Sequence, residues 1–311
     1  MGTLIAHAIH SATGEPVPCI TRRKNHADIL AERNLQLYDV INRKYHYIQV
    51  LPVHYSLAAK ELSCSTVIVT VKSYDLQEAL ETASQIAISK DNVGILVNGL
   101  AGKKEANEYG LNPFFIVSDY GVTRISDYEY ELRGYGELIL GRDSPLRESS
   151  PECRLADLLS RGGLNSRCTS NISYYRWRKT ASNAVINSIT SILDAENIIV
   201  VENSWARNLA EKVLREIIDI SYAKNVGLKY DDLSKYVFEL ARRTGRNISS
   251  TLQDLRTCKQ TEIDSILGVL LEYSREAGIN ANTIEDLYIL VRALEEGRLR
   301  CAERKQQSNT S

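Results

Sequence analysis

Two runs of consecutive apolar residues restrict the folds open to this chain more than any other feature. They are Ser65–Val71 (STVIVTV) and Val93–Val97 (VGILV), separated by a helical stretch from Asp75 to about Ser89. A strand with one wet face alternates apolar and polar residues, whereas continuous apolar strands joined through a helix belong to a parallel sheet covered on both faces. Ahead of them, residues 2–12 carry helical spacing that ends at Thr13-Gly14, and Val17–Thr21 reads as a strand. From Pro113 to Gly141 the pattern turns to hairpin-like runs, FFIVSD, GVTRIS, YEYELRG and GELILG.

After Arg154 strand signals nearly vanish. Helical periodicity covers Ile172–Leu193, Trp205–Ala223, Asp231–Arg243, Glu262–Ala277 and Thr283–Glu296, punctuated at Asn203, Gly245, Asn247 and Gly278. The expected division falls within Arg161–Ser170 (RGGLNSRCTS), giving an α/β domain over residues 1–165 and an all-helical domain over 166–311. The polar tail Lys305–Ser311 is expected to fray. Thirty-eight basic side chains against 39 acidic ones exclude an argument for nucleic acid or an anionic membrane surface. No apolar run is long enough to span a bilayer, and no secretion signal opens the chain. The six cysteines, Cys19, Cys64, Cys153, Cys168, Cys258 and Cys301, are scattered, which reads as buried thiols in a reducing, cytoplasmic compartment. Disulfides enter only for a hyperthermophilic source, which the single Met beside 17 Tyr would suit.

Parallel sheets bind ligands at the carboxyl ends of their strands. Lys72 closes STVIVTVK and Asn98 closes VGILVNG, so both are candidate site residues, against the plainer readings of a solvated lysine and an Asn-Gly turn. A Rossmann-type nucleotide-binding domain opens with a strand, then GxGxxG, then a helix whose N-terminus holds the pyrophosphate. This chain opens Met1-Gly2-Thr3 directly into the helix, with Gly2 where the third glycine would stand. The expectation is that the first strand and the start of the glycine loop lie upstream of Met1; lacking them, the two neighbouring strands would be left with unpaired edges. Thr21-Arg22-Arg23-Lys24 follows about 20 residues after Gly2, the position where basic residues suit the extra phosphate of NADP. Arg22 is the expected phosphate ligand, through a planar guanidinium. The cofactor is read as NADPH, with NADH also compatible.

In the second half, Lys179, Asn183 and Asn187 recur at i, i+4 and i+8 beside Ala184, Val185, Ile186 and Ile189. One helical face thus carries a polar stripe in apolar surroundings, costly unless it binds something, although a stripe facing water is the plainer reading. Further on, Asn247 or a following serine suits a helix cap, and Thr261 with Asp264 suits a cap-and-acid pair. Taken together, WRK-x3-N-x3-N, NISS-x2-QD, TEID with Glu262 twelve residues after Ser250, Lys72 and the VNG around Asn98 resemble the ketopantoate reductase (2-dehydropantoate 2-reductase) family across nearly the whole chain. Thr251, where the family usually has Met, and Leu267, where it usually has Asn, depart from the pattern.

The resemblance implies a Rossmann-type domain followed by an all-α domain like the C-terminal domain of 6-phosphogluconate dehydrogenase. It implies reduction of 2-dehydropantoate to (R)-pantoate with NADPH, on the path to coenzyme A. By the same resemblance Lys179 is the general acid, Glu262 engages a substrate hydroxyl and the lysine and also lies at the cofactor, and Ser250 meets the substrate carboxylate. Asn183, Asn187 and Asn247 hold substrate, Asn98 bridges cofactor and lysine, and Gly2, Arg22 and Lys72 lie at the cofactor. Neither nucleic acid nor membrane is an expected partner, and a homodimer is compatible with the helical half. His7 and His10 stand three apart on the first helix but lack a third ligand at sensible spacing, so no metal is expected. The competing readings are a related 2-hydroxyacid dehydrogenase and a degenerate, non-catalytic relative.

Overall fold

A computed structural model of the chain describes residues 1–310 and the side chains of residues 1–301, so the side chains of the expected tail at Lys305–Ser311 lie outside the described residues. The chain divides into two compact units, Met1–Val97 with Gly102–Ile172 and Asn98–Ala101 with Ser173–Ser311.

The first unit runs α1 (Gly2–Thr13), β1 (Val17–Thr21), α2 (Lys24–Arg33), β2 (Leu35–Asp39), β3 (Lys44–Ile48), β4 (Val50–His54), α3 (Tyr55–Glu61) and β5 (Val67–Val69). A 3-10 turn at Ser73–Asp75 leads into α4 (Leu76–Ile86), then β6 (Val93–Ile95) and α5 (Lys103–Glu108). It ends with β7 (Phe114–Ser118), β8 (Gly121–Arg124), β9 (Glu129–Gly134), β10 (Leu138–Gly141), α6 (Pro151–Arg161) and β11 (Ser166–Thr169). The two apolar runs form the parallel neighbours β5 and β6, each shorter than the run that contains it, and β7 continues the parallel order. β10 then pairs antiparallel with β7, and β11 parallel with β10. β8 and β9 form an antiparallel hairpin inside a separate four-stranded sheet of order β3-β2-β9-β8. Leu4, Leu37, Phe114, Leu138, Leu140 and Leu159, all fully buried, belong to the core of this unit.

β1 pairs in parallel with β4 and β5 with β6, so among the described residues each of β1 and β5 is paired on one side only. Both line a single cavity of about 790 Å³, which Met1, Gly2 and Ile5 of the α1 region also border. Unpaired strand edges leave backbone donors and acceptors without partners in the sheet.

One expectation is corrected here. Cys153 on α6 and Cys168 on β11 form a disulfide, with their Cα atoms 5.0 Å apart. Helix α6 packs against β11, which brings two thiols 15 residues apart into bonding range, a pairing that scattered spacing does not show. Cys19, Cys64, Cys258 and Cys301 are free, and desolvation pushes the Cys19 thiol up to about 11. The strand β11 occupies the segment expected to join the two halves.

The second unit runs α7 (Ile172–Leu193), α8 (Ile199–Glu202), α9 (Ser204–Ala223), α10 (Tyr230–Arg243) and α11 (Ser250–Arg256). A π-helical turn at Asp264–Gly268 leads into α12 (Val269–Ala277), and α13 spans Asn282–Thr310. Val185, Val213, Ile217, Val237, Leu270 and Ile284, each fully buried, anchor its core. Asn203 caps α9 by accepting from the amides of Trp205 and Ala206, both at 3.0 Å. Glu216 of α9 caps α13, accepting from the amides of Thr283 and Ile284 at 2.9 Å. Segment Asn98–Ala101 joins this unit through named bonds. The Leu100 amide donates to the Ser265 carbonyl (3.2 Å), the Arg176 guanidinium donates to the Ala101 carbonyl (2.6 Å), and Leu100 enters the helical core. Gly99 has φ +85°, and a Cβ there would stand 1.8 Å from the Ser265 carbonyl oxygen. Only glycine admits that approach.

Two expected outcomes follow from these contacts. Cys153→Ser removes a cross-link closing a loop of ~15 residues, worth about 3 kcal/mol on the loop-entropy scale. Thermal melting without reductant reads this directly, and added dithiothreitol should lower the wild-type transition while leaving the variant unmoved. Gly99→Ala meets both the left-handed backbone and the Ser265 carbonyl, and should cost at least about 1 kcal/mol in denaturant unfolding.

Candidate functional site

In the helical unit the polar stripe of α7 faces protein rather than open water. Asn187 is 6% exposed, while Lys179 and Asn183 are half-buried. With a rise of about 1.5 Å per residue, the three side chains stack roughly 6 Å apart along one face. Each neighbour in the WRK run has its own task. Trp177 is buried and stacks on Tyr273, with ring centroids 5.9 Å apart. Arg178 lies over the ring of Tyr236 at 4.3 Å. Lys179 belongs to the stripe.

Glu262 is buried at 5% exposure, and its carboxylate accepts from the Asn98 side-chain amide at 2.9 Å. The Asn98 carbonyl in turn accepts from the Asn183 amide at 3.5 Å, the long end of hydrogen-bond range. One turn along, the Asn187 amide donates to the Ser250 hydroxyl at 3.4 Å. Ser249, the N-cap of α11, accepts from the Leu252 amide at 3.4 Å and shares a 2.7 Å bond with the Thr190 hydroxyl, so α11 is tied to α7 next to Ser250. The π-helical turn begins two residues after Glu262, and the Glu262 carbonyl accepts from the Ser265 amide (3.1 Å) and hydroxyl (2.9 Å). Such turns occur disproportionately at functional sites.

Five expected site residues, Asn98, Asn183, Glu262, Asn187 and Ser250, are thereby gathered along one stretch of α7. Asn247 is exposed and contributes backbone bonds, donating to the Thr244 carbonyl and accepting from the Asn197 amide. The helix cap is Ser249 and not Asn247. Thr261 does not cap the following turn through Asp264. Its amide donates to Glu295 at 2.8 Å and its hydroxyl bonds the same carboxylate. Arg176, absent from the expected set, holds the Asn98–Ala101 segment by its carbonyls; its place three residues before Lys179, on the same helical face, is the signal that points to it.

The α/β unit carries the remaining candidates. Gly2 opens α1, and a Cβ on it would stand 2.6 Å from the Thr70 hydroxyl, so helix and strand approach as closely as a glycine allows. Burial first, and then the charge of Lys72, lower the Met1 α-amine to about 6, which puts Lys72 close to the start of α1. The free N–H groups at a helix start and a neighbouring lysine both suit an anion. Arg22, at the end of β1, is 59% exposed in its side chain and ion-paired with Asp75. Its neighbour Arg23 pairs with Asp127 at 2.7 Å. Exposed pairs of this kind contribute little, so Arg22 can exchange Asp75 for a phosphate at small cost.

Comparison with known proteins places the chain in a family. Residues 1–145 match the family model described as ketopantoate reductase PanE/ApbA, and residues 171–295 match the model for its C-terminal region. The chain is 34% identical over 228 residues to 2-dehydropantoate 2-reductase of Pyrobaculum aerophilum, covering 73% of this chain and 76% of that protein. It is 28% identical to the enzyme of the same name from Pyrococcus horikoshii, covering 95% and 94%. Among solved structures it is similar to D-mandelate dehydrogenase with NADH and anilino(oxo)acetate (TM-score 0.86, 22% identity, 96% of each chain). It is also similar to a PanE/ApbA family ketopantoate reductase from Ralstonia eutropha (TM-score 0.81, 22% identity, 96% of this chain and 94% of that one). At these identities the solved structures establish the fold, a Rossmann-type domain followed by a helical domain, and the sequence matches establish the rest: the chain belongs to the ketopantoate reductase family.

Proposed function

We propose that the chain reduces 2-dehydropantoate to pantoate with NADPH, and that Lys179 is its general acid. The observation that carries this reading is the hydrogen-bonded set Asn183–Asn98–Glu262 beside Asn187–Ser250. These are neutral donors and one buried carboxylate gathered along the helical face that bears a lysine. The curated relatives named 2-dehydropantoate 2-reductase support the substrate. Among the described residues no helix is long and apolar enough to cross a membrane. A cytoplasmic enzyme, as monomer or homodimer, fits the reading.

The cofactor supplies a hydride to the ketone carbon when bound. The chain's own residues deal with the oxygen. As negative charge develops there, the Lys179 ammonium stabilises it and donates the proton that completes the alcohol. Ser250 and Asn187 receive the substrate carboxylate by hydrogen bonds, and Asn183 holds the substrate along α7. Glu262 accepts from a substrate hydroxyl, with Asn98 keeping its carboxylate in place. On the cofactor side, the start of α1 at Gly2 and the Lys72 ammonium suit the pyrophosphate, and Arg22 suits the additional phosphate of NADPH. NADH, lacking that phosphate, uses the same site without the Arg22 contact.

The direct test is NADPH oxidation, followed by absorbance, on addition of 2-dehydropantoate; turnover confined to a different 2-oxo acid would replace the substrate assignment. Lys179→Ala should lower kcat by about 10²–10⁴ while the NADPH dissociation constant stays within twofold, since a positioned acid is worth that much and the lysine acts on substrate. Unchanged turnover in this variant would remove the mechanism. Arg22→Ala should raise the KM for NADPH by about 10–100-fold, the worth of a charged hydrogen bond, and leave that for NADH nearly unchanged. Equal effects on both cofactors would take the phosphate role away from Arg22.

A further inference from the structure

Helix α13 is the last element of the helical unit, and one face of it is spent on the TEID turn. Tyr288, Arg292 and Glu295 stand at i, i+4 and i+7, so they share that face. The Tyr288 hydroxyl donates to Asp264 at 2.8 Å, and Arg292 lies 3.8 Å from the same carboxylate. Glu295 goes deeper. Its side chain is only 4% exposed, and both oxygens are engaged. One accepts from the Thr261 amide at 2.8 Å and from the Thr261 hydroxyl, and the other accepts from the Arg292 guanidinium at 2.7 Å.

The residue held in this way immediately precedes Glu262. Thr261 is 2% exposed, and its hydroxyl also accepts from the Ile263 amide at 3.4 Å, so the backbone is tied on both sides of Glu262. A buried carboxylate is costly to keep and is retained only where its full set of donors is met. Beside the Arg292 guanidinium, the donors here are the backbone amide and hydroxyl of one residue, Thr261, so the contact fixes a main-chain position rather than only filling space. The side chain it aims is the Glu262 carboxylate, whose partner Asn98 reaches it from the β6–α5 segment.

We propose that Glu295 is a positioning residue for the reductase reaction. Through the Thr261 amide and hydroxyl it sets the backbone that aims Glu262 at Asn98 and the substrate hydroxyl. The inference rests on the assignment of Glu262 to the substrate site. Glu295 itself touches neither substrate nor cofactor; it acts through Thr261. A misplacement of about 1 Å in a reacting group costs up to ~100-fold in rate, which sets the scale of the expected effect.

The test is steady-state kinetics of the full chain with four variants, Glu295→Gln, Thr261→Val, Thr261→Ser and the double Glu295→Gln/Thr261→Val, each checked for a cooperative melt. Thr261→Val keeps the shape and deletes the hydroxyl, so it probes the contact where a Glu295 variant fails to fold. We expect Thr261→Val and Glu295→Gln each to lower kcat/KM for 2-dehydropantoate by about 10–100-fold with NADPH binding within twofold. Thr261→Ser should restore most of the loss, and the double variant should be no worse than the poorer single, because both break one contact. Multiplying losses in the double variant, equal loss of NADPH binding, or failure of Thr261→Ser to rescue would overturn the positioning role. Glu262→Gln serves as the separate control. If it retains full turnover, the assignment of Glu262 to the substrate site fails; if it loses turnover while Thr261→Val retains it, only the role of Glu295 fails.

Discussion

A carboxylate at 5% exposure dictates much of the helical unit. Glu262 cannot stand in that environment without donors, because an unpaired buried charge costs several kcal/mol. One donor is the Asn98 amide, which sits in a loop far away in sequence, between β6 and α5. That loop is bound into the helical unit by the Leu100 amide, by Arg176 and by burial of Leu100 in the helical core. Gly99 allows the loop to come within contact of the Ser265 carbonyl. The glycine, the π-helical turn and the arginine thus all hold the segment that carries Asn98 to Glu262.

The sequence periodicities reach most of the helical unit. The spacing over Ile172–Leu193 coincides with α7, and Trp205–Ala223 and Asp231–Arg243 fall within one residue of α9 and α10, because amphipathic helices announce their buried faces locally. β11 is not legible: of Ser166–Thr169 only Thr169 is buried, so the strand has no apolar face to show, and its neighbours read as a linker. The Cys153–Cys168 bond is hidden for a related reason. It depends on helix α6 lying against a strand that sequence does not announce.

The candidate site was legible where its residues repeat on one element and obscure where they act across elements. Lys179, Asn183 and Asn187 follow from a single helical spacing. Thr261 reads as a cap because Asp264 follows it at the right interval, yet its hydroxyl is taken by Glu295, 34 residues away. Nothing local distinguishes the two arrangements. In each case a threonine hydroxyl satisfies a nearby polar group, and only the tertiary placement of α13 decides which.

The chemistry of the stripe also explains why its members beyond Lys179 are amides and not cations. In the proposed reaction Lys179 gives a proton to the developing alkoxide, and the next two positions of the stripe carry amides. A guanidinium at Asn183, one turn away, would add a like charge whose repulsion at a separation of ~6 Å is of order 2–3 kcal/mol at an effective dielectric of 20. Asparagine donates to substrate and to Asn98 without this penalty, and it leaves the buried charge of Glu262 as the counterweight on the same side of α7. Arg176, the guanidinium on the same helical face, is turned to the Gly99 and Ala101 carbonyls, and the proposed phosphate ligands Arg22 and Lys72 belong to the α/β unit.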